Sequence, residues 1–402
     1  MYKLAIIGSG GAGLAAALEA AGSTDDIILV TKTRIGSSNT ALAQGGISVS
    51  FGIGDSEEAH YRDTLKCGHF RNVPRLARTM VKEGRSVLRW LESLGVLFDR
   101  DARGRYLLKH SLGATYPRLI SCKDRTGAAM VKVLAEKVKA LRIKILEDYP
   151  VCDIEKKKRC FVIRCVGKGP SAIEARNILL AAGGRCFAVA LQKKVPTSNS
   201  REATGEVSGI ARRLGARFVD YNSFQYHPLG WADPQPLRGR PIPESILSFG
   251  AEISGKDGVI RIDSMKQRGA LSSLLLKEDR QGRSFTLKNG ARAFQLNLKP
   301  ALERYGEKVI ANTFPGFLAL CSAQGISIKD EPLFIFPTLH YQNGGIAIDE
   351  RGRTKVPGIF AAGEITGGIH GTGRLMGNSL LDIICFGRRA GSSAVAGKRV
   401  YA

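Results

Sequence analysis

The chain has 402 residues, of which 44% are hydrophobic and 24% are charged, so it is long enough for two or three domains with a sizeable core. It carries 60 Lys and Arg against 36 Asp and Glu, a formal net charge of +24. Because the basic residues are spread along the chain, an anionic substrate, cofactor or protein partner is favoured over a nucleic acid or an acidic membrane surface.

The remaining composition narrows the class of protein further. The densest basic cluster, at 156–159, lies between strand-like runs at 149–154 and 160–166, which indicates a solvated hairpin tip. The eight cysteines form no CxxC pair, so we expect core thiols in a reducing compartment and no metal site. There is neither a signal-peptide pattern nor an apolar run of about 18 residues, so we expect a cytoplasmic chain with no direct membrane span.

The N-terminal pattern is strand, glycine turn, helix and strand. The apolar run Tyr2–Ile7 is followed by glycines, then by an Ala- and Leu-rich stretch over 14–21 and a second apolar run over 27–32. This order predicts the opening βαβ unit of a dinucleotide-binding domain.

Three glycines of the turn have separate physical roles in such a unit. Gly8 permits the tight turn, Gly10 lets backbone N–H groups approach a pyrophosphate, and Gly13 lets helix and strand pack closely. A chance glycine turn is the alternative, but the position between strand and helix favours dinucleotide binding. Thr31 and Lys32 stand where an acidic residue is usual for NAD, so the motif alone leaves the choice of dinucleotide open.

Further along the chain, helical and strand-like stretches alternate. A helix is predicted over 79–94, and a buried strand over 178–184 that ends in glycines. Five prolines between 228 and 243 mark a change in amino-acid composition, which indicates an inserted second domain at about 223–335. After this region the strand and helix pattern of the N-terminal part returns. A strand is predicted at 359–364 and a helix at 378–396, which Gly397 is placed to end.

Five segments carry a resemblance to a known family. They are Ile6–Ala16, Ser37–Ile47, Thr197–Leu229, His340–Ile346 and Gly352–Gly387. In this order they resemble the succinate dehydrogenase, fumarate reductase and L-aspartate oxidase family. The resemblance implies FAD and not NAD, in a doubly wound α/β (Rossmann-like) domain formed by 1–222 and 336–402. It also implies that 223–335 is an α+β capping domain that closes over the flavin.

The resemblance also implies which residues bind FAD. The residues that match the family's flavin-binding positions are Gly8, Gly10, Gly13, Lys32, Asn39, Thr40, Gln44, Gly45, Gly46, Glu206, Glu364, Ser379 and Leu380. Glu206 would lie near the adenosine ribose and Glu364 at the ribityl chain, where a carboxylate accepts two hydrogen bonds at once. Asn39 stands where many relatives attach FAD through a histidine, so we expect non-covalent FAD and a bias toward reducing fumarate.

The substrate site follows from the same motifs. His227 and His340 match the two histidines that hold substrate carboxylates, and Arg374 matches the arginine that clamps one of them. An arginine fork fits a carboxylate bidentately, which would align the substrate with the flavin. Arg268 matches the family's proton donor, whereas we expect a packing role for His370. The alternative is that these are core or surface residues of a flavoprotein with another substrate.

The relay that would supply Arg268 with protons departs from the family pattern. Glu244 matches the family's carboxylate, but Pro243 stands at a substrate-binding threonine. Leu247 and Phe249 stand at a second relay arginine and a further acid. These substitutions predict slow proton delivery, although the carboxylate clamp and the flavin site are intact.

Three functions therefore remain open. A dicarboxylate oxidoreductase, with an iron–sulfur subunit as its possible electron partner, ranks first, and the run 124–127 resembles succinate dehydrogenase. L-aspartate oxidase ranks second, because Ser111 stands where that branch has a glutamate for the substrate's ammonium. A flavin-binding electron-transfer subunit without dicarboxylate turnover belongs to a different class. The sequence reaches Ala402 soon after the 378–396 helix, so we expect no helical C-terminal domain of the usual kind.

Overall fold

The computed structural model describes residues 1–261 and 268–396. Its strands are β1 Tyr2–Ile7, β2 Ile27–Val30, β3 Ile47–Ser48, β4 Leu119–Ile120, β5 Lys144–Leu146, β6 Val151–Lys156, β7 Phe161–Cys165, β8 Ala172–Leu180, β9 Phe218–Val219, β10 Phe224–Trp231, β11 Glu252–Gly255, β12 Gly258–Val259, β13 Phe285–Thr286, β14 Arg292–Asn297, β15 Leu333–Gln342, β16 Gly345–Ala347, β17 Ile359–Ala361 and β18 Thr366–Gly367.

The helices alternate with these strands along the chain. They are α1 Gly11–Ala21, α2 Glu57–Cys67, α3 Pro74–Lys82, α4 Gly84–Leu94, α5 Thr126–Lys139, α6 Cys186–Lys193, α7 Glu206–Arg213, α8 Arg268–Arg280, α9 Lys299–Tyr305, α10 Glu307–Thr313, α11 Pro315–Ala323 and α12 Asn378–Val395. Two short 3₁₀ helices span Gln235–Leu237 and Glu244–Phe249. Within the described ranges, no helix is both long and apolar enough to span a membrane.

The larger sheet is the parallel sheet of a doubly wound fold. Its strands lie in the order β5-β2-β1-β8-β7-β6, and β17 also pairs with β8. The strands β2, β1, β8 and β17 run parallel, and β6 and β7 form an antiparallel hairpin beside them. Continuous apolar runs such as Leu4–Ile7 and Ile27–Val30 form these strands, and their side chains are buried on both faces of the sheet. The predicted fold class is confirmed.

The first and last helices pack closely against each other, and glycines permit it. A Cβ atom on Gly387 would lie 2.6 Å from the Ala12 carbonyl oxygen, and one on Gly391 would lie 2.4 Å from that of Ala16. Larger side chains would force the helices apart. The contact fixes the N-terminal end of α12 beside the glycine turn that precedes α1.

A second, smaller core lies over an antiparallel sheet of order β10-β15-β14-β11-β12. Its fully buried members come from between Leu229 and Ile335, and they include Trp231, Phe294 and Phe317. Helices α8 to α11 pack around this sheet, so this part of the chain is α+β, as the family resemblance implies.

Several elements differ from their predicted bounds. The helix predicted over 79–94 is two helices, α3 and α4, separated at Glu83 (ψ −9°). Glu83 accepts a hydrogen bond from Arg389 of α12, and Gly84 approaches Val49 so closely that a Cβ would lie 3.3 Å from it. These tertiary contacts favour a break at a glycine, which is a weak helix former. Gly397, the predicted helix stop, lies outside the described residues.

Candidate active site

A deep cleft opens where β1 and β8 end and α1 begins. It is lined by the glycine turn, by the segments that follow β2 and β8, and by the start of α12. Because ligands of open parallel sheets bind outside the carboxyl ends of the strands, this is the expected position for a nucleotide.

The glycine turn has the geometry that its sequence predicts. Gly8 has a φ of +107°, and a Cβ there would lie 2.4 Å from the Ala181 carbonyl oxygen. A Cβ on Gly13 would lie 1.9 Å from the Gly8 carbonyl oxygen, so only glycine fits at either position. A Cβ on Gly10 would instead make ordinary van der Waals contact with Ser38, 3.6 Å away at the nearest.

The N-terminus of α1 is suited to an anion. It has no acidic residue in its first turn, and its N-cap residue, Gly10, has no side chain and lines the cleft beside it. The Gly11 N–H donates to Thr40 Oγ1 at 3.2 Å, which places the loop that carries Asn39 and Thr40 against the turn. The unpaired N–H groups and the helix dipole would stabilise a pyrophosphate here.

Lys32 and Glu206 lie together at one end of the cleft. Lys32 Nζ is 2.5 Å from Glu206 Oε1 and donates to Thr204 Oγ1 at 2.8 Å. Both charged residues line the cleft, which accords with a role of Glu206 near a ribose. Lys32 therefore orients the Glu206 carboxylate. In NAD-binding units an acidic residue stands at the position of this lysine.

Glu364 also lines the cleft and is a hydrogen-bond partner of Asn39. Burial raises the pKa of Glu364 to about 7, although the Gln342 N–H, the charge of Arg374 and the Asn39 amide oppose this shift. Asn39 also donates to Asn199 Oδ1 at 2.6 Å and accepts from the Ser200 N–H at 2.8 Å. Glu364 can thus accept from, or donate to, sugar-chain hydroxyls.

A second cavity adjoins the cleft and shares part of its wall. Gln44, Gly45 and Gly46 line it, together with Ser379 and Leu380, which also line the cleft. Thr126 donates to the Gly45 carbonyl oxygen and so fixes this glycine loop. These residues would suit the flavin end of an extended dinucleotide whose pyrophosphate is held at the N-terminus of α1.

The predicted substrate-binding residues His227, His340 and Arg374 line this second cavity, and so does Glu244. The rings of His227 and His340 meet edge to face, with their centroids 5.2 Å apart. His227 Nδ1 accepts from the Leu229 N–H at 3.2 Å, and its Nε2 lies 3.7 Å from Glu244 Oε2. His340 Nδ1 and Ser198 Oγ are 2.7 Å apart and share a hydrogen bond. Glu244, at the start of a 3₁₀ helix, is therefore next to His227, which no sequence spacing predicts.

Arg374 lines both cavities and is buried. Its guanidinium lies over the Tyr341 ring, 4.3 Å from the centroid. Tyr341 in turn packs edge to face on His370, whose Nε2 is 3.1 Å from Asp382 Oδ2. Stacking on a buried aromatic ring holds the planar fork in one orientation, as carboxylate recognition requires.

The relay residues have different environments. Arg268 begins α8, but its side chain and the preceding Lys266 and Gln267 lie outside the described residues. Leu247 packs against the smaller core, and the Phe249 ring meets the rings of Tyr305 and Phe314. The environments of Leu247 and Phe249 are thus those of packing residues.

The sequence motifs missed one wall of the second cavity. Lys109, Ser121 and Lys123 line it together with Asp124. Asp124 accepts from the Gly316 and Phe317 N–H groups at the start of α11, at 3.0 and 2.8 Å. The carboxylate joins the two cores at the cavity. Asp124 begins the run that resembles succinate dehydrogenase, whereas nothing in the sequence around Lys109 marks it.

Comparison with known proteins agrees with this geometry. The model of a family described as an FAD binding domain matches residues 3–380. The chain is 33% identical to a chain of the fumarate reductase (CoM/CoB) of Methanothermobacter marburgensis, over 97% of this chain and 71% of that protein. It is 32% identical to L-aspartate oxidase of Streptomyces coelicolor, over 97% of this chain and 68% of that protein.

A solved structure shows the same fold. A mutant FrdA chain of E. coli quinol fumarate reductase superposes with a TM-score of 0.88 at 26% identity, over 99% of this chain and 71% of that one. The match extends through both cores. The chain therefore belongs to the family of FAD-binding flavoproteins that includes the flavoprotein chains of fumarate reductases and L-aspartate oxidase.

Proposed function

We propose that this FAD-dependent oxidoreductase transfers a hydride between its flavin and a C4 dicarboxylate. One observation carries the proposal: Arg374, His227 and His340 line a single cavity with Gln44–Gly46 and Leu380, next to the dinucleotide cleft. A rigid arginine fork and two imidazoles beside a flavin site form a receptor for a small carboxylate.

The protein's own groups would bind and orient the substrate. Arg374 would take one carboxylate bidentately, since its guanidinium is already held over Tyr341. When bound, FAD supplies the hydride acceptor or donor. The N–H groups of His227 and His340 would hold the substrate against the flavin edge.

The hydride and the proton would be transferred at the two different central carbons of the substrate. We propose Arg268 as the proton donor, with Glu244 as its proton source. The burial of Glu244 beside His227 and its place in the cavity lining support this proposal. We also propose residues 223–335 as a capping domain whose closure excludes water from the cavity.

The electrons would come from a partner protein. The eight cysteines form no CxxC pair, so the sequence carries no motif for an iron–sulfur cluster of its own. We therefore propose an iron–sulfur protein as the donor, by analogy with the fumarate reductase relatives.

A ligand titration tests the site. Succinate, L-aspartate and butyrate are each added to the oxidised yellow protein without air, and the flavin absorbance is followed. We expect succinate to perturb the spectrum at lower concentration than butyrate, because two carboxylates can be held. Rapid bleaching by L-aspartate would instead indicate L-aspartate oxidase, and no response to any dicarboxylate would indicate a flavin-binding subunit.

A further inference from the structure

The wall of the second cavity that the motifs missed carries positive charge. Lys109 is held there by a two-way backbone pairing with Leu119, with N···O distances of 2.9 and 3.1 Å. Its side chain lines the same cavity as His227 and Arg374. The neighbouring Lys123 also lines this wall.

Within the described part of the chain, the contacts of the Lys109 ammonium do not use all of its N–H groups. It donates one hydrogen bond, to the Lys123 carbonyl oxygen at 3.3 Å. Its other contact is an ion pair with Asp99 at 3.9 Å, which is longer than a hydrogen bond. Because an ammonium carries three N–H groups, two remain for a ligand.

The nearby carboxylates accept hydrogen bonds from groups other than Lys109. Asp99 Oδ2 accepts from the Lys123 N–H at 2.6 Å and from Ser121 Oγ at 3.2 Å. The Asp124 oxygens accept from the start of α11. These acids therefore shape the wall without accepting a hydrogen bond from the Lys109 ammonium, although their charges still attract it. Burial lowers the pKa of Lys109, and the charges of Asp99 and Asp124 oppose this shift.

The turn that presents the Lys123 carbonyl is strained. Lys123 has a φ of +52°, in the left-handed region that is unfavourable for a residue with a side chain. The same turn places Lys123 N–H on Asp99 and its carbonyl oxygen on Lys109. The strained conformation thus holds the ammonium at the cavity.

The rest of the lining is mixed, because Gln44, Ser245 and Ser379 carry hydrogen-bond donors and five other residues carry none in their side chains. Pro241, Pro243, Leu119, Phe314 and Met376 contribute to its lining. Proline has no N–H, and the other side chains are apolar. Lys109 adds a charged donor to this lining, on the wall formed by 109–124.

We propose that Lys109 binds the second carboxylate of the substrate, the one remote from Arg374, and thereby selects dicarboxylates over monocarboxylates. This inference rests on the proposed function and extends it to a residue outside the family motifs. Lys109 would act as a specificity residue, with Arg374 binding the carboxylate that the two ligand classes share.

Ligand binding to the purified flavoprotein tests this role. The dissociation constants of succinate and butyrate are measured from the flavin absorbance change in the wild type, Lys109→Met and Lys109→Gln. Glutamine removes the charge but can still donate to the Lys123 carbonyl, so it separates anion binding from support of the turn. Lys137→Met, on the exposed face of α5, is the control for the loss of one positive charge.

The expected result is a change in preference, not a general weakening. Both Lys109 variants should lose about tenfold or more of the preference for succinate, equal to about 1.4 kcal/mol, with little change for butyrate. Lys137→Met should bind like the wild type. An unchanged preference in Lys109→Gln, or equal weakening of both ligands, would overturn the inference alone. A wild type that binds neither ligand would overturn the proposed function and this inference with it.

Discussion

At the scale of single residues, Asn39 is the basis of our prediction of how the flavin is attached. The amide group is bound to Asn199 and Ser200, and it cannot form the covalent bond that a histidine forms. We expect acid precipitation to release all of the flavin into the supernatant. Flavin fluorescence that stays with the denatured chain on a gel would contradict non-covalent binding.

Arg374 is the residue on which substrate alignment depends most. Arg374→Lys should keep the flavin but lower turnover with fumarate by about 100-fold, or about 3 kcal/mol, since a point charge replaces a bidentate fork. The control is Arg353→Lys, which changes a surface pair with Asp349. Steady-state rates of both variants check the assignment, and equal rates would remove Arg374 from the substrate site.

The sequence predicted some site residues better than others, for a physical reason. Gly8, Gly13 and Glu364 lie in short motifs whose local geometry fixes their place. Lys109 reaches the cavity only because the chain pairs 109 with 119, a tertiary contact without a sequence signature. The closeness of Glu244 to His227 likewise depends on how a 3₁₀ helix packs beside β10.

At the scale of elements, the start of α12 depends on a buried histidine. His60 of α2 is fully buried, and its Nε2 lies 2.8 Å from Asn378 Oδ1. Burial and the charge of Arg118 lower the pKa of His60 from 6.5 to about 3, although the Asn378 hydrogen bond opposes the shift. The unfolded chain therefore takes up this proton first, and stability falls as the pH drops from about 6.5 toward 3.

This buried histidine gives a signed pH prediction. Between pH 7 and pH 5 the free energy of unfolding should fall by about 2 kcal/mol through His60 alone. Urea unfolding of the wild type and His60→Gln at both values isolates this contribution as the difference between their pH responses. Identical responses of the two proteins would show that His60 is not kept neutral by the fold.

Leu247 belongs to an element of the smaller core. The family alignment places a relay arginine there, but the side chain packs against that core. Leu247→Arg should therefore destabilise the protein by about 1 to 3 kcal/mol without raising fumarate turnover, whereas Leu247→Met should be near neutral. Thermal unfolding and turnover are measured together. A stable arginine variant with faster turnover would favour the restored relay.

Element bounds show where local patterns were sufficient. The βαβ unit and the hairpin of β6 and β7 follow from apolar runs and turn signals. The break between α3 and α4 does not, because its cause is the contact of Glu83 with Arg389 on a distant helix. Sequence periodicity continues across this break, and only packing reveals it.

At the scale of the whole molecule, the two cores meet at the second cavity. Asp124, which precedes α5 of the larger core, caps α11 of the smaller core, and His340 comes from β15 of the smaller core's sheet. We propose that this junction makes substrate binding depend on the position of the smaller domain. The overall charge of +24 would assist the approach of a dianion.

The reoxidation of the reduced protein tests the central claim most directly. The flavin is reduced with dithionite without air, and fumarate or crotonate, its monocarboxylate counterpart, is then added. We predict that fumarate restores the oxidised flavin spectrum with formation of one succinate per flavin, and that crotonate does not. A flavin that stays reduced with fumarate, yet is promptly reoxidised by an artificial dye, would contradict dicarboxylate reduction and leave the FAD-binding fold without its proposed substrate.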